Sequence, residues 1–190
     1  MARTGERKAQ ILQTLAAMLE EPKAERVTTA LLAARLDVSE AALYRHFSSK
    51  AQMFEGLIEF IEQTVFGLVN RIQADEQDAM KQVEATVATL LGFAQKNPGM
   101  TRVLTGDALV NEDERLQARV NQLLDRLEAS LRQSARLAVT TGALPPDWDV
   151  NAYANAIIAF VVGRWHQYAK SGFKRAPMDG WAQQWRVFSN

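Results

Sequence analysis

The chain has 190 residues, 47% of them hydrophobic, so it can bury a substantial core and is not globally disordered. It has no cysteine, which excludes disulfides and thiolate metal sites, and its formal net charge is zero. Residues 1–50 hold 8 Lys/Arg against 6 Asp/Glu, a surplus of +2 that the rest of the chain cancels. So small a surplus excludes strong sequence-independent attraction to phosphate, and any DNA binding is expected to need two copies and to weaken with salt.

The N-terminal run Met-Ala-Arg-Thr-Gly-Glu-Arg-Lys has no apolar core behind its charges, so no secretory signal is predicted. The longest nearly uncharged stretch, 150–163, is too short for a bilayer and predicts a buried helix, so no membrane association is expected. Alternating apolar runs of strand type are absent, whereas helical periodicity recurs throughout, which predicts an all-α fold.

Ile11, Leu12, Leu15, Met18 and Leu19 share one face of a first helix over 6–20, with Arg3, Arg7 and Lys8 at its start and Glu20-Glu21-Pro22 at its end. Thr28 is a good N-cap for a second helix over 28–35, with Val27 and Leu32 spaced as a hydrophobic staple. Leu36-Asp37-Val38 reads as a turn, and Ser39 caps a third helix over 39–45. Ser49 to Gln52 matches a capping box that opens a long fourth helix over 49–73.

The fourth helix carries a core stripe of Phe54, Leu57, Ile58, Ile61, Val65, Leu68 and Ile72. Phe60 lies about 120° from the centre of that stripe, on a flank with Met53, Thr64, Gly67 and Arg71. A fifth helix over 76–95 turns Val83, Val87, Leu90, Leu91 and Ala94 inward and Thr89, Gly92 and Lys96 outward. Asp75, Glu76 and Asp78 at its start suit the helix dipole as a solvated cap.

Asn97-Pro98-Gly99 breaks the chain, a short helix runs to Thr105, and Gly106 breaks it again. A capping box at Asn111–Glu114 opens a helix to Thr140 whose apolar positions are Leu116, Val120, Leu123, Leu124, Leu127 and Leu131. After the loop at 142–149, Asp149 caps a helix over 150–170 whose middle is apolar on nearly every side, which predicts burial on more than one. Its small residues Ala152, Ala156, Ala159 and Gly163 would admit a partner helix. Trp181, Trp185 and Phe188 predict a last short packing helix in the tail 171–190.

Two short helices joined by a tight turn, with small residues Ala33, Ala34, Ala41 and Ala42 at their crossing, have the form of a helix-turn-helix. Leu32, Leu36, Val38 and Leu43 supply its core, and Tyr44, Arg45, His46 and Lys50 follow with donors suited to phosphate. An ordinary three-helix packing unit with surface charges accounts for the same pattern, so the pattern leaves DNA binding open.

The run from Thr28 to Phe54, above all Tyr-x-His-Phe-x-x-Lys at 44–50, resembles the DNA-binding domain of the TetR family. Segments beyond it, at 57–62, 90–93, 97–109 and 115–123, are similar to the nucleoid-occlusion branch of that family. The resemblance covers roughly 8–135 and fades over 136–190.

It implies a helix-turn-helix domain at 1–48 and a helical dimerisation and partner-binding domain at 49–190. It further implies a homodimer on a palindromic double-stranded DNA site and a direct partner, the tubulin-like division protein FtsZ, whose Z-ring assembly over the chromosome it would block. Such a protein would be cytoplasmic and nucleoid-associated. Carried onto this chain, the DNA contacts are Thr28, Thr29, Ser39, Glu40, Ala42, Tyr44, Arg45, His46 and Lys50. The partner-binding residues are Phe60, Arg71, Thr89, Gly92, Lys96 and Asn97. Three positions depart from the branch: Leu31 stands where lysine is usual, and Leu68 and Lys96 where arginine is.

The alternative is a ligand-released transcriptional repressor of the same family, with a pocket lined by Phe93, Met100 and Trp165; helical spacing assigns the same residues to core, so no small-molecule ligand is expected. His46 and His166 are the only histidines and lie on distant segments, so no metal site is predicted. Gly106-Asp107-Ala108-Leu109 has no nucleophile–base pairing in view, so neither catalysis nor a cofactor is expected.

Overall fold

The computed structural model describes residues 4–21 and 27–189. Among them the chain is all-α: α1 (Thr4–Glu20), α2 (Thr29–Arg35), α3 (Glu40–Tyr44), α4 (Lys50–Asp75), α5 (Ala79–Lys96), α6 (Pro98–Leu104), a 3-10 turn (Asp107–Leu109), α7 (Glu114–Thr140), α8 (Val150–Lys170) and α9 (Trp181–Ser189). Arg3, Pro22 and Asn190 lie outside the described residues.

Local chemistry sets most of these boundaries. Thr28 Oγ1 accepts from Leu31 N at 3.2 Å, and Ser39 Oγ accepts from Ala42 N at 3.3 Å, so each hydroxyl satisfies an orphan donor of the helix it opens. Asp78 Oδ1 takes the amides of Met80 and Lys81, which starts α5 at residue 79 and not 76. Asp113 Oδ1 takes the amide of Arg115 at 3.0 Å, so α7 opens at Glu114, and Asn111 just ahead of it turns the chain in the left-handed region at φ 66°.

The chain groups into two compact units: residues up to Ile61 with Asn97–Val120, and Glu62–Lys96 with Asn121 onward. In the first, α1, α2, α3 and the start of α4 close over Ile11, Leu15, Leu32, Leu43, Phe54 and Ile58. Here α6 lies directly on α1. A Cβ at Gly99 would stand 2.0 Å from the carbonyl oxygen of Ala16, so only glycine permits this approach.

In the second unit, α5 and α8 pack through Leu90, Leu91, Ile157, Val161 and Trp165, and the Trp165 indole N–H donates to Leu90 O at 3.2 Å. A buried polar chain crosses this core. Gln82 Nε2 donates to Glu76 O at 2.8 Å, Ser134 Oγ donates to Gln82 Oε1 at 2.9 Å, and Gln73 Nε2 reaches Ser134 Oγ and Ser130 O. The tail packs as expected: Trp181 and Trp185 are buried, and Tyr153 Oη donates to Phe188 O at 2.9 Å. Arg164 Nη2 donates to the carbonyls of Ala176, Pro177 and Asp179 at 3.0, 3.1 and 2.8 Å.

Several core assignments change. In α4, Leu68 is 39% exposed while Val69 is fully buried, because both straddle the stripe and a 3.6-residue period from Val65 passes between them. Met53 is buried and not on the flank of Phe60, since it lies one turn before Leu57 on the same face. In the helix-turn-helix, Ala33 is buried but Ala34 and Ala41 are exposed, and Leu36 and Val38 are half-buried, because helices of seven and five residues have only one inward face each. Leu124 and Ile72 are likewise half-buried. α8 is buried within this chain on one side only: Ala152, Ala156, Ala159 and Gly163 are all exposed. None of the described helices is long and apolar enough to cross a membrane.

Candidate nucleic-acid interface and partner surface

The turn between α2 and α3 owes its tightness to Asp37, whose φ of 52° is left-handed, a conformation aspartate tolerates better than most residues. The amide of Val38 then returns to Ala33 O at 3.0 Å. This lets α3 bury Leu43 beside Leu32 of α2 and leaves its outer face in water.

That face carries the residues the sequence singles out. Tyr44 is 45% exposed, Arg45 is exposed and Ala42 is half-buried. Thr28 and Ser39 accept from backbone amides as caps, which leaves each hydroxyl proton available for a phosphate oxygen. Thr29 and Glu40 meet: Thr29 Oγ1 donates to Glu40 Oε2 at 2.6 Å, so one hydroxyl is already committed. His46 is half-buried with its Nδ1 buried and unpartnered among the described residues, so only Nε2 can serve an outside acceptor. Leu31 is 44% exposed and puts an apolar side chain on the same head.

Lys50 is not free. Its ammonium pairs with the Glu112 carboxylate and stands 5.7 Å from the centre of the Phe54 ring. Glu112 lies 62 residues away in sequence, and no local pattern could have named it.

The residues assigned to a protein partner fall on α4, on α5 and at the junction of α5 with α6. Phe60 is 46% exposed, a large ring left in water by a helix whose other big apolar residues are mostly buried. In the second unit, Leu68, Arg71, Ile72, Asp75, Glu76, Ala85 and Thr89 line an open groove of about 350 Å³ between α4 and α5. Of these, Arg71 and Thr89 are residues the sequence points to; Leu68, which its spacing places in the core, is instead exposed and supplies the groove's apolar wall. Gly92 has nothing within 4 Å of where a Cβ would sit, and Lys96 is the exposed last residue of α5. Asn97 stands at the N-cap position of α6, its carbonyl accepting from Thr101 N at 2.9 Å. No group of three or more His, Cys, Asp or Glu capable of holding a metal occurs among the described residues.

Two family models match the chain: "Bacterial regulatory proteins, tetR family" over residues 11–57 and "Tetracyclin repressor-like, C-terminal domain", of SlmA-like type, over 77–190. The nucleoid occlusion factor SlmA of a Marinomonas species is 50% identical over 184 residues, 97% of this chain and 93% of that protein. The SlmA of Alteromonas mediterranea is 48% identical over 96% of this chain and 93% of that one. Among solved structures, a TetR transcription regulator from Haloarcula marismortui superposes with a TM-score of 0.82 over 97% of each chain, at 14% identity. A likeness at that identity speaks for the fold alone.

Proposed function

Because this chain belongs to the TetR family, among the SlmA-type nucleoid occlusion factors, and so to a non-enzymatic class of DNA-binding regulators, we propose that it works as a homodimer on a palindromic DNA site and there binds FtsZ, blocking Z-ring assembly over the chromosome. Residues 1–48 form the reading head. Glu40 and Ala42 at the start of α3 meet base edges, while Thr28, Thr29, Ser39, Tyr44, Arg45, His46 and Lys50 set the head on the backbone. Residues 49–190 hold two heads at fixed spacing, through α7 and through the exposed small-residue side of α8, in a four-helix bundle. The protein is then nucleoid-associated wherever its sites lie.

The observation that carries the FtsZ reading is Phe60. A ring left 46% exposed on a helix whose other big apolar residues are mostly buried suits a protein contact. The groove at Arg71 and Thr89, with Gly92, Lys96 and Asn97, extends the same reading. A ligand-released repressor is less well supported, since two of the three expected pocket walls, Phe93 and Trp165, are buried, the Trp165 indole bonded to Leu90 O, while the third, Met100, is half-buried.

The test is co-sedimentation of GTP-assembled FtsZ with the protein and its DNA. Wild type is expected to change the polymer recovered in the pellet. Phe60→Ala is expected to bind DNA normally and lose that effect. An unaltered pellet with wild type, or full activity of Phe60→Ala, would count against the assignment.

A further inference from the structure

Lys50 is both a proposed phosphate donor and the partner of an acid within its own chain. The pair is partly shielded, with side-chain exposures of 23% for Lys50 and 11% for Glu112, so it is less screened than an ordinary surface pair. Each member is held from behind. Lys50 is the first residue of α4, fixed there by Ser49, whose hydroxyl accepts from Gln52 N at 3.1 Å, and its ammonium lies over the buried Phe54 ring. Glu112 follows Asn111, which turns the chain at φ 66°, and its amide returns to Leu109 O at 3.0 Å on a buried leucine.

From this geometry we infer that Glu112 is a built-in phosphate mimic. Its carboxylate occupies Lys50 in the free protein, and a DNA phosphate must take its place when the head engages. A carboxylate and a phosphate oxygen present the same feature to an ammonium, an anionic acceptor at hydrogen-bond distance. The exchange frees the segment before α7, which Glu112 otherwise ties to the start of α4. Glu112 thereby sets the affinity of the head without touching a base. The inference rests on the proposed DNA contact of Lys50.

The experiment is a double-mutant cycle on the full-length chain, with DNA selected from a random pool by the wild-type protein and affinities read by fluorescence anisotropy over a range of salt. Glu112→Gln keeps the side chain's size and removes its charge. It is expected to tighten DNA binding about fivefold per dimer, the scale of one weak ion pair per head. In a Lys50→Ala background the same change is expected to have no effect, because no ammonium remains to be released. Thermal melts of all four proteins identify any variant that fails to fold, and Glu112→Ala provides a second uncharged replacement.

Unchanged or weaker binding by both Glu112 variants overturns the inference. So does tightening that persists without Lys50, which would make Glu112 a general repulsive charge. If wild type selects no DNA, the DNA-binding reading itself falls, and this inference with it.

Discussion

Replacing Gly99 by alanine tests whether the contact of α6 with α1 is as close as it looks. The added Cβ would stand 2.0 Å from Ala16 O, 2.9 Å from Ala16 C and 3.2 Å from Glu20 Cγ. A carbon and a carbonyl oxygen come to rest at about 3.3 Å or more, so the helices must part by over about 1 Å. The obstacle is main chain inside a hydrogen-bonded helix and cannot swing aside as a side chain would. Overpacking costs roughly 1–3 kcal/mol, and a backbone obstacle puts this site near about 3. Against that, alanine gains about 0.5–1 kcal/mol over glycine in a helix. The net loss is about 2 kcal/mol, a fall in Tm of about 4–8 °C for a chain of this size. Melts followed by circular dichroism at one fixed protein concentration measure it, since assembly itself shifts Tm. Gly67→Ala is the control: it sits inside α4 with nothing within 4 Å of its Cβ and should gain about 0.5–1 kcal/mol. If Gly99→Ala melts at or above the wild-type temperature, the close approach of α6 to α1 is wrong.

On the proposed reading the Tyr44 ring, 45% exposed, meets DNA, so Tyr44→Ala should weaken binding about tenfold at every sequence and shift Tm by no more than about 2 °C, as anisotropy and thermal melts would show. Substitutions of Ala42, by contrast, should alter which sites are preferred, read by repeating the selection from random DNA. Burial pushes the Tyr153 phenol from 10.0 up to about 12. Between those values the unfolded chain has lost a proton that the folded chain keeps, so stability is unaffected below pH 10 and falls as pH rises through the window. Tyr153→Phe should remove that alkaline slope in denaturant titrations, while losing the hydrogen bond to Phe188 O at all lower pH.

Much of the helical inventory was legible because its causes are local. Thr28, Ser39 and Asp149 act as caps within three residues of themselves, and Gly106 and Gly142, at φ 80° and 79°, stop helices where only glycine is at ease. The stripe Val83, Val87, Leu90, Leu91 and Ala94 repeats at the helical period and is buried throughout. For the same reason Phe60 could be set apart from the core of its helix, whereas the Tyr-x-His-Phe-x-x-Lys run points to DNA only through its resemblance to a family.

Tertiary packing decided whatever depended on which neighbour arrives. Leu68 and Val69 lie equally near the stripe of α4, and the surrounding helices bury one and leave the other to line a groove. Gln82 and Ser134 carry no mark in the sequence, yet 52 residues apart they form one link of a buried polar chain. The apolar middle of α8 looked buried all round, but this chain covers only one side. Lys50 and Glu112 meet across 62 residues. Capping and periodicity are written within a turn or two of the chain, so the sequence alone determined them. The partner of a charge, or the side of a helix that meets water, is set by residues distant in sequence, and only the folded chain brings those together.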